Sequence, residues 1–358
     1  MKIVLSGYYG FDNAGDEALL SAITASIKNL APQVEFVVFS GSPEKTAFLH
    51  GIRAVYYMNP FQVLKELATA DLLISGGGSI FQDVTSTRSL FYYITVVALA
   101  KLLGTPVMFY AQGVGPINKN ISKTLMRLIA NRVNFITLRD EESGELLTSL
   151  GVTKPPRQIT ADPVFALKAT AADHSKVQEL LKEFNPDAKP LIGVSVREWE
   201  ALQGYQAELA RLLDDLSAQG YKVIFIPLAF PQDIGESEKV AGFMESPATI
   251  MRENLSSTEH LALISQLDGL IGIRLHSLVF AAGGGVPFAG ISYDPKVRAF
   301  LETFGLKPLP LKYEKMKVEI TALLNDPGLK DIITKKAAQL AGESEENAKL
   351  ALALIKRH

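Results

Sequence analysis

Lys2-Ile3-Val4-Leu5-Ser6-Gly7-Tyr8-Tyr9-Gly10-Phe11-Asp12-Asn13-Ala14-Gly15-Asp16-Glu17 carries an apolar run into a glycine-punctuated turn and then into a helical pattern. Lys2–Ser6 has the near-continuous apolarity of a strand covered on both faces, as the strands of parallel sheets are. Gly7, Gly10 and Gly15 allow a tight turn, and a helix opening near Ala14 presents amide N–H groups to whatever lies before it. The rhythm then repeats. Apolar runs at Val34–Phe39, Asp71–Ser75, Val107–Tyr110 and Phe135–Leu138 alternate with helical spacing at Ala14–Leu30, Pro60–Ala68, Arg88–Leu103, Ser122–Asn131 and Glu141–Leu150. Short apolar strands alternating with amphipathic helices predict an α/β fold with a doubly wound parallel sheet.

A second series follows. Leu191–Val196, Tyr221–Ile226, Gly269–Ile273 and Pro287–Ile291 read as strands, with helices at Tyr205–Ala218, Thr258–Gln266, His276–Gly283 and Lys296–Thr303. The polar stretch between the two series, with Asn185-Pro186 and Lys189-Pro190, reads as a linker over 168–189. The expected organisation is a Rossmann-like domain over 1–167, a second over 190–341, and a C-terminal helix over 342–358 packing back on the first.

The chain has 358 residues, of which 47% are hydrophobic and 21% charged, a composition that excludes disorder as the main state. A net charge of −2 argues against a nucleic-acid partner. The absence of cysteine excludes disulfides, thiolate catalysis and cysteine-held metals. The N-terminus lacks a secretory pattern, and the most apolar stretch, Leu90–Leu103, is shorter than the roughly 20 residues of a membrane span. The expectation is a cytoplasmic protein that touches a membrane without crossing it.

Candidate site residues follow the strands. The first turn, with Asp12, Asn13 and Asp16, suits either a hydroxyl-rich or anionic ligand or an ordinary βα turn capped by Asn13 or Asp16. Gly76-Gly77-Gly78-Ser79 is expensive in conformational entropy and suggests a ligand or another backbone lying against it. Asp83 beyond it suits a sugar-hydroxyl contact, a base, or a first-turn helix acid. Gln112-Gly113-Val114-Gly115-Pro116 forms a third turn on the same edge. In the second series Arg197 ends one strand, Arg274-Leu275-His276 ends another and opens a helix, and Lys296 follows a third. An arginine fork at a helix N-terminus matches phosphate or carboxylate, and a histidine beside it can carry a proton near neutral pH. No grouping with metal-ligand spacing occurs.

Charge is also unevenly placed. Val84 to Arg139 contains no Asp or Glu, where the chain average of 38 acids in 358 residues would place about six. Lys119, Lys123 and Arg127 recur on one helix face. That face suits an anionic membrane or a pyrophosphate, or is a solvated surface paired with acids from elsewhere.

Taken in order, Gly10, Asn13, Gly15, Asp16 and Glu17, then Gly76-Gly77-Gly78-Ser79, Gln112-Gly113-Val114-Gly115-Pro116, Leu138-Arg139-Asp140, Ala161-Asp162-Pro163, Arg197, Arg274-Leu275-His276 and Lys296 resemble the polysaccharide pyruvyl transferases. The likeness runs through nearly the whole chain. It is strongest to the bacterial enzymes that modify secondary cell wall polymers, the CsaB type. The resemblance implies a glycosyltransferase-B-like (GT-B-like) fold of two Rossmann-type domains facing a cleft. It implies transfer of the three-carbon unit of phosphoenolpyruvate to the 4- and 6-hydroxyls of an N-acetylmannosamine residue, giving a cyclic ketal and phosphate. The acceptor would be a lipid-pyrophosphate-linked disaccharide of the ManNAc-GlcNAc type at the inner membrane face, the product an anchor for surface-layer proteins. Phosphoenolpyruvate is then a co-substrate, and no cofactor or metal is expected. Arg139, Arg197, Arg274, Leu275, His276 and Lys296 would form the donor side, with Arg274 and His276 catalytic. Asp12, Asn13, Asp16, Gly77, Gly78, Asp83 and Gln112 would form the acceptor side, and Lys119, Lys123 and Arg127 would face the pyrophosphate and membrane. The chain is compatible with a homo-oligomer. A nucleotide-sugar glycosyltransferase of the same architecture, recruiting Glu198, and a non-enzymatic anion-binding protein are the alternatives.

Overall fold

The computed structural model describes residues 1–84, 86–199, 202 and 204–355, and the chain divides into two compact units. The first comprises Met1–Leu167 together with the described residues from Leu340 onward; the second is Lys168–Gln339.

In the first unit the order is β1 (Lys2–Tyr9), α1 (Ala14–Leu30), β2 (Glu35–Ser40), α2 (Pro43–His50), β3 (Arg53–Tyr56), α3 (Pro60–Ala68), β4 (Leu72–Gly76), α4 (Thr87–Leu102), β5 (Val107–Gln112), α5 (Asn120–Ala130), β6 (Phe135–Leu138), α6 (Glu141–Ser149) and β7 (Arg157–Ile159). The sheet order is β3-β2-β1-β4-β5-β6-β7, every pair parallel. The chain starts in mid-sheet and reverses its direction of travel between β1 and β4. In open α/β sheets such a switch point opens a crevice at the C-terminal strand ends. The Gly10–Asp16 and Gly76–Ser79 turns stand there.

The second unit runs α7 (Ala171–Phe184), β8 (Leu191–Ser195), α8 (Tyr205–Ala218), β9 (Lys222–Phe225), α9 (Gln232–Ala241), β10 (Thr249–Ile250), α10 (Ser257–Ile264), β11 (Gly269–Gly272), α11 (Leu275–Gly283), β12 (Phe288–Gly290), α12 (Pro295–Thr303), α13 (Tyr313–Leu324) and the first part of α14 (Leu329–Ile355). Its parallel sheet has the order β10-β9-β8-β11-β12, with the switch point between β8 and β11.

Two expectations need correction. Residues 168–189 are not a plain linker: Thr170 and Asp173 form a reciprocal capping box that starts α7. Val177 is buried and Lys176 pairs with Glu259 of α10 at 2.7 Å, which ties the helix into the second unit. The C-terminal helix, expected over 342–358, begins at Leu329; residues 356–358 lie outside the described residues. Its second part enters the core beside α1, with Ala348, Ala351 and Leu354 among Ile3, Leu5, Leu20 and Ile23. There the buried Asn347 accepts a 2.9 Å bond from the Thr160 hydroxyl.

Candidate active site

Parallel register brings the second unit's cations to one edge. Gly272 of β11 pairs with Ser195 of β8 and with Gly290 of β12, so Arg197, Arg274 and Ser292 each lie two residues beyond a row of aligned positions. Arg197 and Arg274 thus flank the switch point. Lys296, in the first turn of α12, follows the third strand, with its ammonium 3.3 Å from Asp294.

Each arginine is held rigidly. Asp233, on the first turn of α9 and 1% exposed, accepts from Nε and Nη2 of Arg274, both at 2.5 Å. The Asp233 carboxylate also accepts from the Leu228 and Ala229 amides at 3.1 and 2.9 Å, so the fork is anchored to backbone. Arg197 lies over the rings of Trp199 and Tyr293, 4.8 and 5.1 Å from their centroids, and donates from Nη1 to the Tyr293 hydroxyl at 3.0 Å. The two rings, tilted with centroids 4.8 Å apart, pack together against the planar guanidinium and fix it without cancelling its charge. Its Nε is buried and makes no bond among the described residues.

Arg274 is the N-cap of α11, so Leu275 and His276 are that helix's first two residues, where the amides carry partial positive charge. Leu275 is buried, while Arg274 and His276 are half-buried. A sheet edge with two fixed guanidinium groups, an ammonium, a helix N-terminus and an imidazole can hold a small polyanion and move a proton beside it. Asp233 and the Trp199–Tyr293 pair were not among the expected residues. An acid just after Pro231 beyond a strand, and the chain's single Trp two residues past Arg197, were the available signals.

In the first unit three of the expected residues build the turns themselves. Gln112 is fully buried and its amide donates to the carbonyls of Gly78 at 2.8 Å and Gly113 at 3.1 Å. The Gly113 amide returns a bond to the Gly78 carbonyl at 2.9 Å, locking the second and third turns together. Gly77 and Gly78 both have φ of 70°, which only glycine adopts without strain, and a side chain on Gly78 would meet the Asp16 carboxylate. Asp16 therefore lies where the first and second turns meet. Asn13 caps α1, accepting from the Gly15 amide at 3.1 Å, and the exposed Asp12 pairs with Lys45. Beside this edge Tyr8 stacks on Phe11 with centroids 4.4 Å apart, and Phe11, Tyr57 and Tyr92 continue edge to face.

Two expected site residues are otherwise engaged. Asp83 is 6% exposed, and its oxygens accept from the Asn118 and Lys119 amides at 2.8 and 2.9 Å, which closes the start of α5. Burial works against its charge, but those two amides hold the carboxyl below its usual value. It is a helix anchor, not a poised base. Arg139 is held within the first unit: its side chain is 6% exposed, donating to Asp162 at 2.6 Å and to Ser79 at 3.0 Å, packed against Gly113. A buried guanidinium demands a carboxylate in low-dielectric surroundings, and Asp162 supplies it within the same unit. Lys119, Lys123 and Arg127 are exposed on α5. Glu198, the residue a nucleotide-sugar enzyme would recruit, pairs with Lys239 at 2.9 Å.

The two units, each a parallel sheet with its candidate residues at the C-terminal strand ends, define the GT-B-like class. UDP-GlcNAc 2-epimerase from Neisseria meningitidis, solved with UDP-GlcNAc, superposes with a TM-score of 0.68 at 13% identity over 100% of both chains. The S. aureus MnaA–UDP structure gives 0.68 at 12% over 99% and 98%, and Anabaena HepE with UDP-glucose gives 0.62 at 14% over 100% and 98%. Within that class the chain belongs to the polysaccharide pyruvyl transferase family, whose model matches residues 13–295. It is 22% identical over 303 residues to the amylovoran biosynthesis protein AmsJ of Erwinia amylovora, covering 80% of this chain and 71% of that one. Among the described residues no cluster of His, Asp and Glu is arranged to hold a metal, and no helix is long and apolar enough to cross a membrane.

Proposed function

We propose that the enzyme moves the pyruvyl unit of phosphoenolpyruvate onto the 4- and 6-hydroxyls of an N-acetylmannosamine residue in a lipid-pyrophosphate-linked cell wall precursor at the inner membrane face. The observation that carries this reading is the pair of fixed arginines flanking the second sheet's switch point, with Lys296 beyond the next strand. Phosphoenolpyruvate presents phosphate and carboxylate on one small frame, and such a trianion needs several rigid cations. Asp233 occupies the Nε and Nη2 edge of Arg274 and leaves Nη1 for the ligand. Arg197 keeps its full charge against two rings.

The chemistry balances without a redox partner. One acceptor hydroxyl adds to C2 while a proton reaches the methylene carbon, which becomes the methyl group. The second hydroxyl then displaces phosphate from C2, closing the ketal, and its proton leaves with a base or with phosphate. His276 is assigned the proton transfers. The glycine turns with Asp12, Asn13 and Asp16 are assigned the sugar. Family membership and the relative's role in polysaccharide biosynthesis favour a glycan acceptor over a small metabolite.

The test is phosphate release from phosphoenolpyruvate in the presence of an N-acetylmannosaminide, with ketal formation followed by mass spectrometry. The wild type is expected to turn over. Arg274→Ala should lose roughly 100-fold in kcat/KM, and His276→Ala should bind phosphoenolpyruvate but release no phosphate. A wild type that ignores phosphoenolpyruvate and consumes a nucleotide sugar would replace this reading with glycosyl transfer.

A further inference from the structure

Helices α3, α4 and α5 cover one face of the first unit's sheet and share one core, with Val63 and Leu67 of α3, Leu90, Tyr93 and Val97 of α4, and Met126 and Ala130 of α5 all buried in it. α3 packs on α4 and α4 on α5. The outward side of this layer is also apolar. Phe61 and Leu64, one turn apart on α3, are 84% and 40% exposed; Leu102 at the end of α4 is 83% exposed; Ile121 and Leu128, two turns apart on α5, are 60% and 43% exposed. Soluble proteins expose single apolar side chains routinely, but large ones spread over three adjacent helices mark a surface that meets something.

The charges on the same layer state what it meets. Lys65, Arg88, Lys119, Lys123 and Arg127 are exposed. Between Val84 and Arg139 there is no Asp or Glu, and the one acid of α3, Glu66, is buried against Lys2 and Arg53. A second copy of the chain is a poor occupant, because a two-fold contact would set these cations against the same cations. Apolar side chains interleaved with unopposed cations match the interface of an anionic bilayer, where the former enter the acyl boundary and the latter meet the headgroups.

We propose that the α3–α4–α5 layer docks the enzyme on an anionic lipid bilayer, inserting Phe61, Leu102, Ile121 and Leu128 among headgroups held by Lys119, Lys123 and Arg127. The proposal rests on the lipid-linked acceptor for its purpose, while its test uses no catalysis. The full chain is sedimented with vesicles of phosphatidylcholine, with and without phosphatidylglycerol. Binding is expected to the anionic vesicles and to weaken steeply as salt is raised. The combined Lys119→Glu, Lys123→Glu and Arg127→Glu variant should lose at least about 100-fold in partitioning, at roughly fivefold per cation removed from the surface. Phe61→Ser with Leu102→Ser, which leaves every charge in place, should lose about tenfold or more at unchanged thermal stability. Wild-type protein that ignores anionic vesicles, or serine variants that bind as well as wild type, would overturn the proposal. So would a dimer in sedimentation equilibrium that the serine substitutions dissociate, since the face would then be an interface between copies. Vesicle binding without turnover of phosphoenolpyruvate would leave this surface standing and remove the reaction assigned above.

Discussion

Asp233 illustrates how much of the proposed anion site lies in residues that would never meet the anion. Its carboxylate accepts from two nitrogens on one edge of Arg274 and from two backbone amides while itself 1% exposed, so the guanidinium has one orientation. The pair's net charge is nil; what it contributes is direction. Asp233→Asn keeps the shape and removes the charge, leaving a half-buried arginine without its counterion. Loss of one partner of such a pair costs about 3 kcal/mol of folding stability, readable from urea denaturation. In phosphoenolpyruvate kinetics KM should rise by roughly 30-fold, the equivalent of about 2 kcal/mol of charge-assisted hydrogen bonding, with kcat falling less. An unchanged KM beside a large stability loss would reduce Asp233 to a structural role. Arg197 achieves the same rigidity without a carboxylate, through Trp199 and Tyr293. One fixed arginine is thus neutralised and directional, and the other is fully charged.

At the scale of elements, α5 shows a site candidate turning into a structural part. The helix has Lys119 at its N-cap with no capping bond from its side chain, and Asp83 from the β4–α4 connection caps it instead. Asp83→Asn should cost about 1–2 kcal/mol at neutral pH. Because the folded carboxyl titrates below its ordinary value of 3.8, its contribution is present above that pH and is lost as pH falls through the depressed folded value. The stability gap between wild type and variant should therefore be constant from neutrality to about pH 4 and shrink below it. A gap that widens on acidification would contradict the capping role. The sequence pattern could not distinguish this anchor from a catalytic acid, since its amide partners lie about 35 residues away and meet it only through the β4–β5 pairing. Long periodic helices were legible for the opposite reason. α1, α3 and α8 have the expected bounds, their apolar spacing being local. What escaped were short edge strands with little periodicity, β3, β7 and β10, and the helices α2, α9, α13 and α7, the last with a polar surface that buries only Val177. The cations at strand ends were legible because β strands in a parallel sheet must deliver their C-terminal neighbours to one edge, whereas the carboxylate that orients Arg274 comes from a different βα connection.

For the whole molecule, the consequential feature is α14, which begins in the second unit and ends in the first. Its last turns supply Ala348, Ala351 and Leu354 to the core on the α1 side of the first sheet, so that core is incomplete without chain from the far end of the sequence. Asn347 fixes the register of that return. It is fully buried, accepts from the Thr160 hydroxyl at 2.9 Å and donates to the Ser344 carbonyl at 2.9 Å. Asn347→Ala should strand the Thr160 hydroxyl and cost about 1–3 kcal/mol, but the loss should not be uniform. Sub-global opening follows contiguous packing, so strands that rely on the returning helix should lose protection first. Native-state hydrogen exchange is the appropriate measurement: amides of β1, β2 and β4 should exchange faster in the variant, and those of β8, β9 and β11 at the wild-type rate. Equal acceleration in both sets would mean that the two units unfold as one cooperative block. In that event α14 would couple the two sheets thermodynamically, and substitutions at Asp233 would then register in the first unit's exchange as well.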